Sequence, residues 1–315
     1  MATGFYTNTI FLEHDTGNHP ENADRLRAID HHLRYSGLLN KLEVRPGRAA
    51  EPKEIEILHS KRHIDSVMEA VELGRKTLGT PDCVISAGTY GAALHAVGAV
   101  LDSVIQVADR KLDNAFCAVR PPGHHAEHDT AMGFCFFNNI AIAAEFLRKN
   151  CGYQRILIFD FDVHHGNGNG TQHLFEENAQ VLYASTHQDP RTCYPGTGFA
   201  QETGFGSGKG FTLNFPMPPG TSDEKYLEFF HNRIIPQFEE FKPDFILLSA
   251  GFDGHVRDPL AMLNLTENCY REITTEMRTL AEKFANGRIV SLLEGGYDLE
   301  ALALSVESHI QELLA

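Results

Sequence analysis

Asp160, Asp162 and His164 recur at every second position directly after the apolar run Ile156-Leu157-Ile158-Phe159. In extended backbone alternate side chains project to one side, so this spacing aims two carboxylates and an imidazole the same way. Asp253 follows a second apolar run, Phe245-Ile246-Leu247-Leu248, and can add another oxygen. Asp162, His164 and Asp253 together make two carboxylates and one imidazole with an open fourth position, which fits a catalytic zinc better than a closed structural site. Asp-x-His alone would read as a solvated loop end. Several acids crowded at the end of an apolar strand are harder to explain that way, because burying them side by side is costly without a cation. His124-His125 follows Arg120-Pro-Pro-Gly, an irregular turn able to present both rings. Beside a metal, such a pair suits general acid–base catalysis. Tyr297 follows Gly295-Gly296, which allow close backbone approach, and its phenol can donate to a developing oxyanion. Singly, a His pair is a surface dipeptide and Gly-Gly-Tyr a turn; the combination carries the reading.

The histidines are clustered. Of 17 in 315 residues, seven (124, 125, 128, 164, 165, 173 and 187) fall in one 64-residue stretch. With 42% hydrophobic and 22% charged residues the chain is globular in composition. Lys plus Arg is 27 against 42 Asp plus Glu, a net charge of −15, which disfavours a nucleic-acid partner because such binding depends on neutralised phosphates. No stretch reaches the roughly 18 uninterrupted apolar residues of a membrane span, so no membrane partner is expected. The N-terminus lacks a basic region followed by an apolar one, and the six cysteines form no Cys-x-x-Cys pair, so a cytoplasmic protein with reduced thiols is expected.

The elements that position these residues alternate along the chain. Strands are predicted at Ala115–Val119, Arg155–Phe159, Val181–Ser185, Phe211–Phe215, Asp244–Ser249 and Arg288–Leu293. Helices are predicted at Ala23–Arg34, Ile64–Arg75, Thr89–Ala108, Asn139–Lys149, Asp223–Phe241, Glu267–Phe284 and Leu299–Leu314. Continuous apolar strands between amphipathic helices imply a mainly parallel sheet covered on both faces, a three-layer α/β/α fold, and one domain spanning 1–315. Ligands in such sheets bind beyond the carboxyl ends of the strands. Four predicted strands end there in Arg120–His125, Asp160–Gly166, Ser249–Asp253 and Glu294–Tyr297. The Gly-rich stretch Pro195–Gly210 reads as a long functional loop.

At this point the sequence resembles the histone deacetylase superfamily, in its class II-like bacterial branch with acetoin-utilisation and acetylpolyamine amidohydrolase relatives. The matching elements are His19-Pro-Glu-Asn-Ala-Asp-Arg25-Leu, Arg120-Pro-Pro-Gly-His-His-Ala126, Gly133-Phe-Cys-Phe-Phe-Asn138 and Asp160-Phe-Asp-Val-His-His-Gly-Asn167. They continue with Tyr194-Pro-Gly-Thr-Gly198, Ser249-Ala-Gly-Phe-Asp253, Asp258-Pro-Leu260 and Leu293-Glu-Gly-Gly-Tyr297, in family order over nearly the whole chain. The resemblance implies the arginase/deacetylase fold and a zinc-dependent hydrolase of ε-acyl-lysine or acetylated amines, working through metal-activated water. It assigns one catalytic zinc to Asp162, His164 and Asp253. It makes His125 the general base and acid, His124 its electrostatic partner, and Tyr297 the oxyanion donor. Asp160 would orient His124 and Asn167 would contact His125. Gly133, Phe134 and Tyr194 would line the acyl-lysine tunnel, Leu260 its rim, Gly295 and Gly296 the substrate, and Arg25 an internal channel below the metal.

The resemblance also implies one or two structural potassium ions, one at Asp160, Asp162, His164, Ser185 and Thr186, the other at carbonyls around Phe175, Asn178, Val181 and Phe211. One departure is an extra Asn-Gly: His164-His165-Gly166 continues Asn167-Gly168-Asn169-Gly170-Thr171, so Asn169 competes with Asn167 for the His125 contact. Gly166 and Asp253-Gly-His255 lack the further aspartates that a two-manganese ureohydrolase would need. Leu260 at the rim favours acyl-lysine in a protein or peptide over an acetylpolyamine, for which relatives place an acid there. Asp82, in Thr80-Pro-Asp-Cys, is a candidate for binding substrate backbone and equally a turn aspartate. A catalytically silent acyl-lysine-binding scaffold is the non-enzymatic alternative, and iron an alternative metal.

Overall fold

The structure is a computed structural model that describes residues 2–166 and 170–315. Its strands, in chain order, are β1 (Thr3–Tyr6), β2 (Glu43–Arg45), β3 (Thr77–Leu78), β4 (Thr80–Val84), β5 (Asn114–Cys117), β6 (Ile156–Asp160), β7 (Val181–Gln188), β8 (Thr212–Met217), β9 (Phe245–Ala250) and β10 (Ile289–Leu293). The helices are α1 (Asp24–Tyr35), α2 (Pro52–Ile55), α3 (Lys61–Glu72), α4 (Thr89–Ala108), α5 (Asn139–Asn150), α6 (Thr171–Phe175), α7 (Asp223–Phe229), α8 (Ile235–Phe241), α9 (Glu267–Phe284) and α10 (Leu299–Leu314).

Eight strands form one sheet in the order β2-β1-β5-β10-β9-β6-β7-β8, and every pairing is parallel. β5, β6, β9 and β10 are buried at every residue, which is why they read as unbroken apolar runs rather than alternating ones. Helices α1, α9 and α10 pack together on one face, while α4 and α5 cover the other. The architecture is the three-layer α/β fold expected. Four strands lay outside the expectation: β1, four residues at the chain start; β2, three largely exposed residues; and β3 and β4, which pair antiparallel as a separate two-stranded sheet.

Helix α4 is long and apolar enough by mean hydropathy to cross a membrane, although His95, Asp102, Ser103 and Gln106 interrupt its apolar run. Within the fold it separates two apolar clusters. Ala92, Ala96, Val100 and Val104 belong to the main core, and Ala93, Val97 and Leu101 to a second one with Ile64, Val67, Phe136 and Phe137. A helix buried on both sides is apolar all round for that reason. The predicted helix 223–241 is interrupted by a π turn at Phe230–Ile234, just before Pro236, which has no N–H to continue the helical ladder.

The sheet order sets the site. β5, β10, β9 and β6 are the four central strands, side by side, and their carboxyl ends deliver the Arg120, Glu294, Gly251 and Asp160 segments to one place.

Candidate active site

Beyond β6 the chain bends at Val163 and His164, and Asp162 and His164 meet Asp253 from the loop after β9. One ligand atom from each lies within 4.8 Å of the others, the one such trio of potential metal ligands among the described residues. His164 Nδ1 is 2.9 Å from Asp253 Oδ2 and 3.2 Å from Asp162 Oδ1. Backbone donors fix the carboxylates: Gly295 N–H donates to Asp162 Oδ2 (2.8 Å) and Val163 N–H to Asp253 Oδ1 (3.0 Å). The packing allows no side chain at the neighbouring glycines. A Cβ on Gly251 would sit 2.1 Å from Asp162 Oδ2, and one on Gly295 2.1 Å from Asp253 Oδ2.

These donors fit a divalent cation. Asp162 and Asp253 are 1% and 0% exposed, and two adjacent carboxylates without solvent are strongly repulsive unless a positive charge lies between them. Burial and the charge of Asp162 push Asp253 up to about 7. Against its own burial, Asp162 is drawn below the carboxylate range by the adjacent histidines. His164, despite burial, is driven well above the usual imidazole value by its two carboxylate partners. The Cys193 thiol is a further partner of that imidazole.

Asp160 does not join the trio. Its Oδ2 faces His124 Nδ1 at 3.0 Å and accepts from the Tyr183 hydroxyl at 3.3 Å. Burial opposes charge on His124, but Asp160 and Asp162 outweigh it and raise the imidazole to about 10. The His125 ring, 3.9 Å away centroid to centroid, is driven the opposite way, well below 6.5, by burial and by the charge on His124.

The loop carrying both rings is clamped from several sides. Glu294 Oε2 accepts from the N–H groups of Gly123 (2.7 Å) and His124 (3.2 Å), and Ser249 Oγ donates to Oε1 (3.2 Å). Asn138 Nδ2 donates to the carbonyls of His124 and Ala126, and Thr171 Oγ1 also donates to that of His124. Arg120 binds Glu21 and the carbonyls of Phe11 and His14. Glu21, Asn138 and Glu294 stand inside the motifs without an expected task; Asn138 and Glu294 hold backbone in place, and Glu21 pairs with the guanidinium groups of Arg120 and Arg25.

A cleft of about 310 Å³ leads to this cluster, lined by Asp82, His125, Gly133, Phe134, His164, Tyr194, Leu260 and Tyr297. Phe134 is delivered by a tight turn in which Met132 and Cys135 exchange backbone hydrogen bonds. Its two central residues, Gly133 (φ +54°) and Phe134 (φ +70°), are both left-handed, as a type I′ turn requires. Gly133 is also confined by space, because a Cβ there would lie 2.4 Å from His125 Cδ2. The Phe134 ring meets Tyr297 edge-on at 6.0 Å and His19 at 4.5 Å, while Tyr194 meets His125 at 5.3 Å. His19 is thus a neighbour of the aromatic wall that sequence reasoning quoted but did not use. Asp82 lines the same cleft, and its Oδ1 is buried with no hydrogen-bond partner among the described residues.

Gly295 and Gly296, expected at the substrate, lie elsewhere: Gly295 packs behind the two metal-site carboxylates, and the Gly296 carbonyl accepts from Arg25 Nε at 2.7 Å. Arg25 also donates to the Glu294 carbonyl and to Glu21 Oε1, and its guanidinium lies 5.1 Å over the Tyr297 ring. Burial and the Asp253 charge push the Tyr297 phenol well up, so it stays protonated. Of the residues expected at potassium, Ser185 Oγ bonds His187 Nδ1 (2.8 Å) and Thr186 Oγ1 bonds the Tyr226 hydroxyl (2.5 Å). The Phe175 carbonyl accepts from Asn178 N–H, that of Asn178 from Val181 N–H, and that of Phe211 from Tyr183 N–H. Phe211 and Asn178 also line surface hollows of about 480 and 630 Å³ that share no lining residue with the cleft. Asn167, expected beside His125, and its competitor Asn169 lie outside the described residues.

The family model described as "Histone deacetylase domain" matches residues 19–313. The chain belongs to the histone deacetylase family. It is 39% identical over 306 residues to a probable deacetylase of Archaeoglobus fulgidus, covering 95% of this chain and 82% of that one. It is 39% identical over 349 residues to human histone deacetylase 9, covering 99% of this chain but 34% of the human protein. The crystal structure of the HDA15 HD domain superposes with a TM-score of 0.91 at 34% identity, covering 99% of this chain and 89% of that one. This histone deacetylase fold, with a trio of buried metal-type ligands at its centre, marks the chain as a deacetylase-family hydrolase acting on amides.

Proposed function

We propose that the chain is a zinc-dependent lysine deacylase that hydrolyses the amide of ε-N-acetyl-lysine in proteins or peptides. The observation that carries this reading is the convergence of Asp162, His164 and Asp253, the His125 imidazole and the Tyr297 phenol on one aromatic-walled cleft. In this reading the aliphatic stem of an acyl-lysine runs between Phe134 and Tyr194, which both line the cleft, with its amide at the cluster.

When bound by Asp162, His164 and Asp253, zinc supplies a Lewis acid for the amide carbonyl and the attacking water. The protein's own groups do the rest. His125, held neutral by burial and by its cationic neighbour His124, takes a proton from the attacking water. His124, with Asp160 behind it, sets the charge around that proton and keeps the pair from both being cationic. Tyr297, protonated and aimed into the cleft, donates to the oxyanion. His125 then returns its proton to the departing amine, so the lysine leaves neutral and the carbon–nitrogen bond breaks without expelling an amide anion. In this reading Asn167 supports His125, and structural potassium binds around Asp160, Ser185 and Thr186 and around Phe175, Asn178, Val181 and Phe211. The reading also makes 1–315 one domain of a cytoplasmic protein with no nucleic-acid partner, in keeping with the charge of −15.

A second reading, an acetylpolyamine amidohydrolase, is favoured by one observation: the Asp82 carboxylate lies in the cleft lining and can meet a substrate cation as well as a peptide N–H. Leu260, apolar and 38% exposed at the same cleft, opposes it. The test is a panel of acetyl-lysine peptides, longer acyl-lysine peptides and acetylated polyamines with the zinc-loaded protein. Highest kcat/KM on acyl-lysine peptides supports the proposal; a strong polyamine preference overturns it.

A further inference from the structure

Asp258 is 7% exposed and stands in neither the metal trio nor the cleft lining. Its carboxylate instead gathers backbone N–H groups from two separate loops. Oδ1 accepts from Leu260 at 3.0 Å, and Oδ2 accepts from Tyr297 at 2.7 Å, with the N–H of Asp298 as a further donor. Leu260 is a cleft-mouth residue and Tyr297 lies deep in the same cleft, so one buried carboxylate ties the mouth to the phenol.

The segment it holds is pinned at each residue. The Glu294 carbonyl accepts from Arg25, Gly295 N–H donates to Asp162 and its carbonyl accepts from Phe252 N–H, and the Gly296 carbonyl accepts from Arg25. The Tyr297 N–H comes next and Asp258 Oδ2 accepts it, with the Asp298 N–H beside it where the chain turns into α10. Removing that acceptor takes away the hold on the backbone next to the phenol; Asp258 bonds neither the metal trio nor the two histidines, and reaches Asp253 and His164 through its charge alone. A hydrogen-bond donor to an oxyanion is effective only if fixed before the reaction, and a displacement of about 1 Å can cost about 100-fold in rate.

We propose that Asp258 is a positioning residue that sets the Tyr297 phenol for the oxyanion and couples it to the rim residue Leu260. This inference deepens the deacylase reading and rests on it. The test compares wild type, Asp258→Asn, Tyr297→Phe and the double variant, zinc-loaded, on a peptide carrying acetyl-lysine and on the same peptide carrying trifluoroacetyl-lysine. The fluorinated oxyanion is stabilised by its own acyl group and needs the phenol less. Asp258→Asn is expected to lower kcat on acetyl-lysine by about 10- to 100-fold, to lower it far less on trifluoroacetyl-lysine, and to cost little more once Tyr297 is already Phe. Equal losses on both substrates, or the same loss in both backgrounds, would show a merely structural role and overturn the proposal. Amide hydrogen exchange at Tyr297 gives a readout without turnover: faster exchange in Asp258→Asn, with the Gly295 amide unchanged, is expected, and unchanged exchange at Tyr297 overturns it. If wild type hydrolyses neither peptide, the functional reading falls, and the exchange measurement decides the positioning claim separately.

Discussion

The rings of His124 and His125 lie 3.9 Å apart, and their environments drive them to opposite protonation states. Asp160 and Asp162 hold a proton on His124, raised to about 10, and that charge joins burial in keeping His125 neutral. Neighbours in sequence thus differ in role because one ring faces a carboxylate and the other faces the cleft. His125→Ala is expected to lower kcat by about 100- to 10,000-fold, the usual span for a general base. Because the neutral form of His125 is the working one and its pKa is lowered, activity should persist below pH 6.5 and fall only at more acidic pH. A pH–rate profile of kcat/KM that loses activity already above pH 7 on its acid side would contradict this assignment.

Tyr297→Phe separates catalysis from binding. Removing one oxyanion donor typically costs about 100- to 1000-fold in kcat. Acyl-lysine peptide affinity, measured by titration, should change little, because the ring that packs against Phe134 is retained. Undiminished deacylation by the variant would sink the mechanism. A wild type that binds acyl-lysine peptide without turning it over would instead be the silent scaffold.

Metal removal tests the trio. Stringent chelation should abolish deacylation and zinc should restore it, while Asp253→Ala should lower bound zinc as measured by elemental analysis. Ferrous iron is the informative comparison, since oxygen and nitrogen donors of this kind accept either ion. Full activity in chelator would rule out the proposed chemistry.

Gly133→Ala probes geometry without touching a reacting group. The new methyl group would meet the His125 ring at 2.4 Å in backbone with φ +54°, so the turn or the ring must move. A cost of about 1–3 kcal/mol in stability is expected for such overpacking, with kcat falling at least tenfold on the scale set for small misplacements. Wild-type kcat in the variant would show that the His125 position is not set by this turn.

The sequence made the central strands legible because burial on both faces leaves unbroken apolar runs, and their polar ends then mark the site. β2 and β3 escaped because three and two residues are too few for any period to register, and β1 and β4 because Thr3-Gly-Phe-Tyr6 and Thr80-Pro-Asp-Cys-Val84 hold no unbroken apolar run. Asp160, Asp162 and His164 share a spacing but not a destination: Asp160 turns to His124, a split that depends on where another strand places its loop. Gly295 and Gly296 looked like substrate contacts because close approach was evident, while what approaches, a carboxylate of the metal site and a guanidinium, was not. Glu294 and Asp258 act by accepting backbone N–H groups from other loops, and side-chain identity alone gives no sign of that.

Four other histidines bear on stability. Burial lowers His14 and His187 to about 4, and His59 and His309 to about 3, against about 6.5 in an unfolded chain. Between those values the unfolded chain binds protons that the folded one does not. Their contribution is therefore intact above pH 6.5 and declines as the pH falls toward the folded values, each by up to about 1.4 kcal/mol per pH unit. Glu21, lowered to about 2 against burial by Arg120, adds a further loss below about pH 4.5. These groups lower the urea midpoint from pH 7 to pH 4, opposed in part by Asp253 and Glu294, which burial raises to about 7 so that the folded chain takes up their protons first. His309 is held between Thr274 Oγ1 and Ser291 Oγ, 2.6 and 2.8 Å away. Replacing it, as in His309→Gln, removes one titrating group, so the variant should lose stability at pH 7 yet show a shallower slope than wild type. An unchanged slope would mean that His309 takes no part in the acid response.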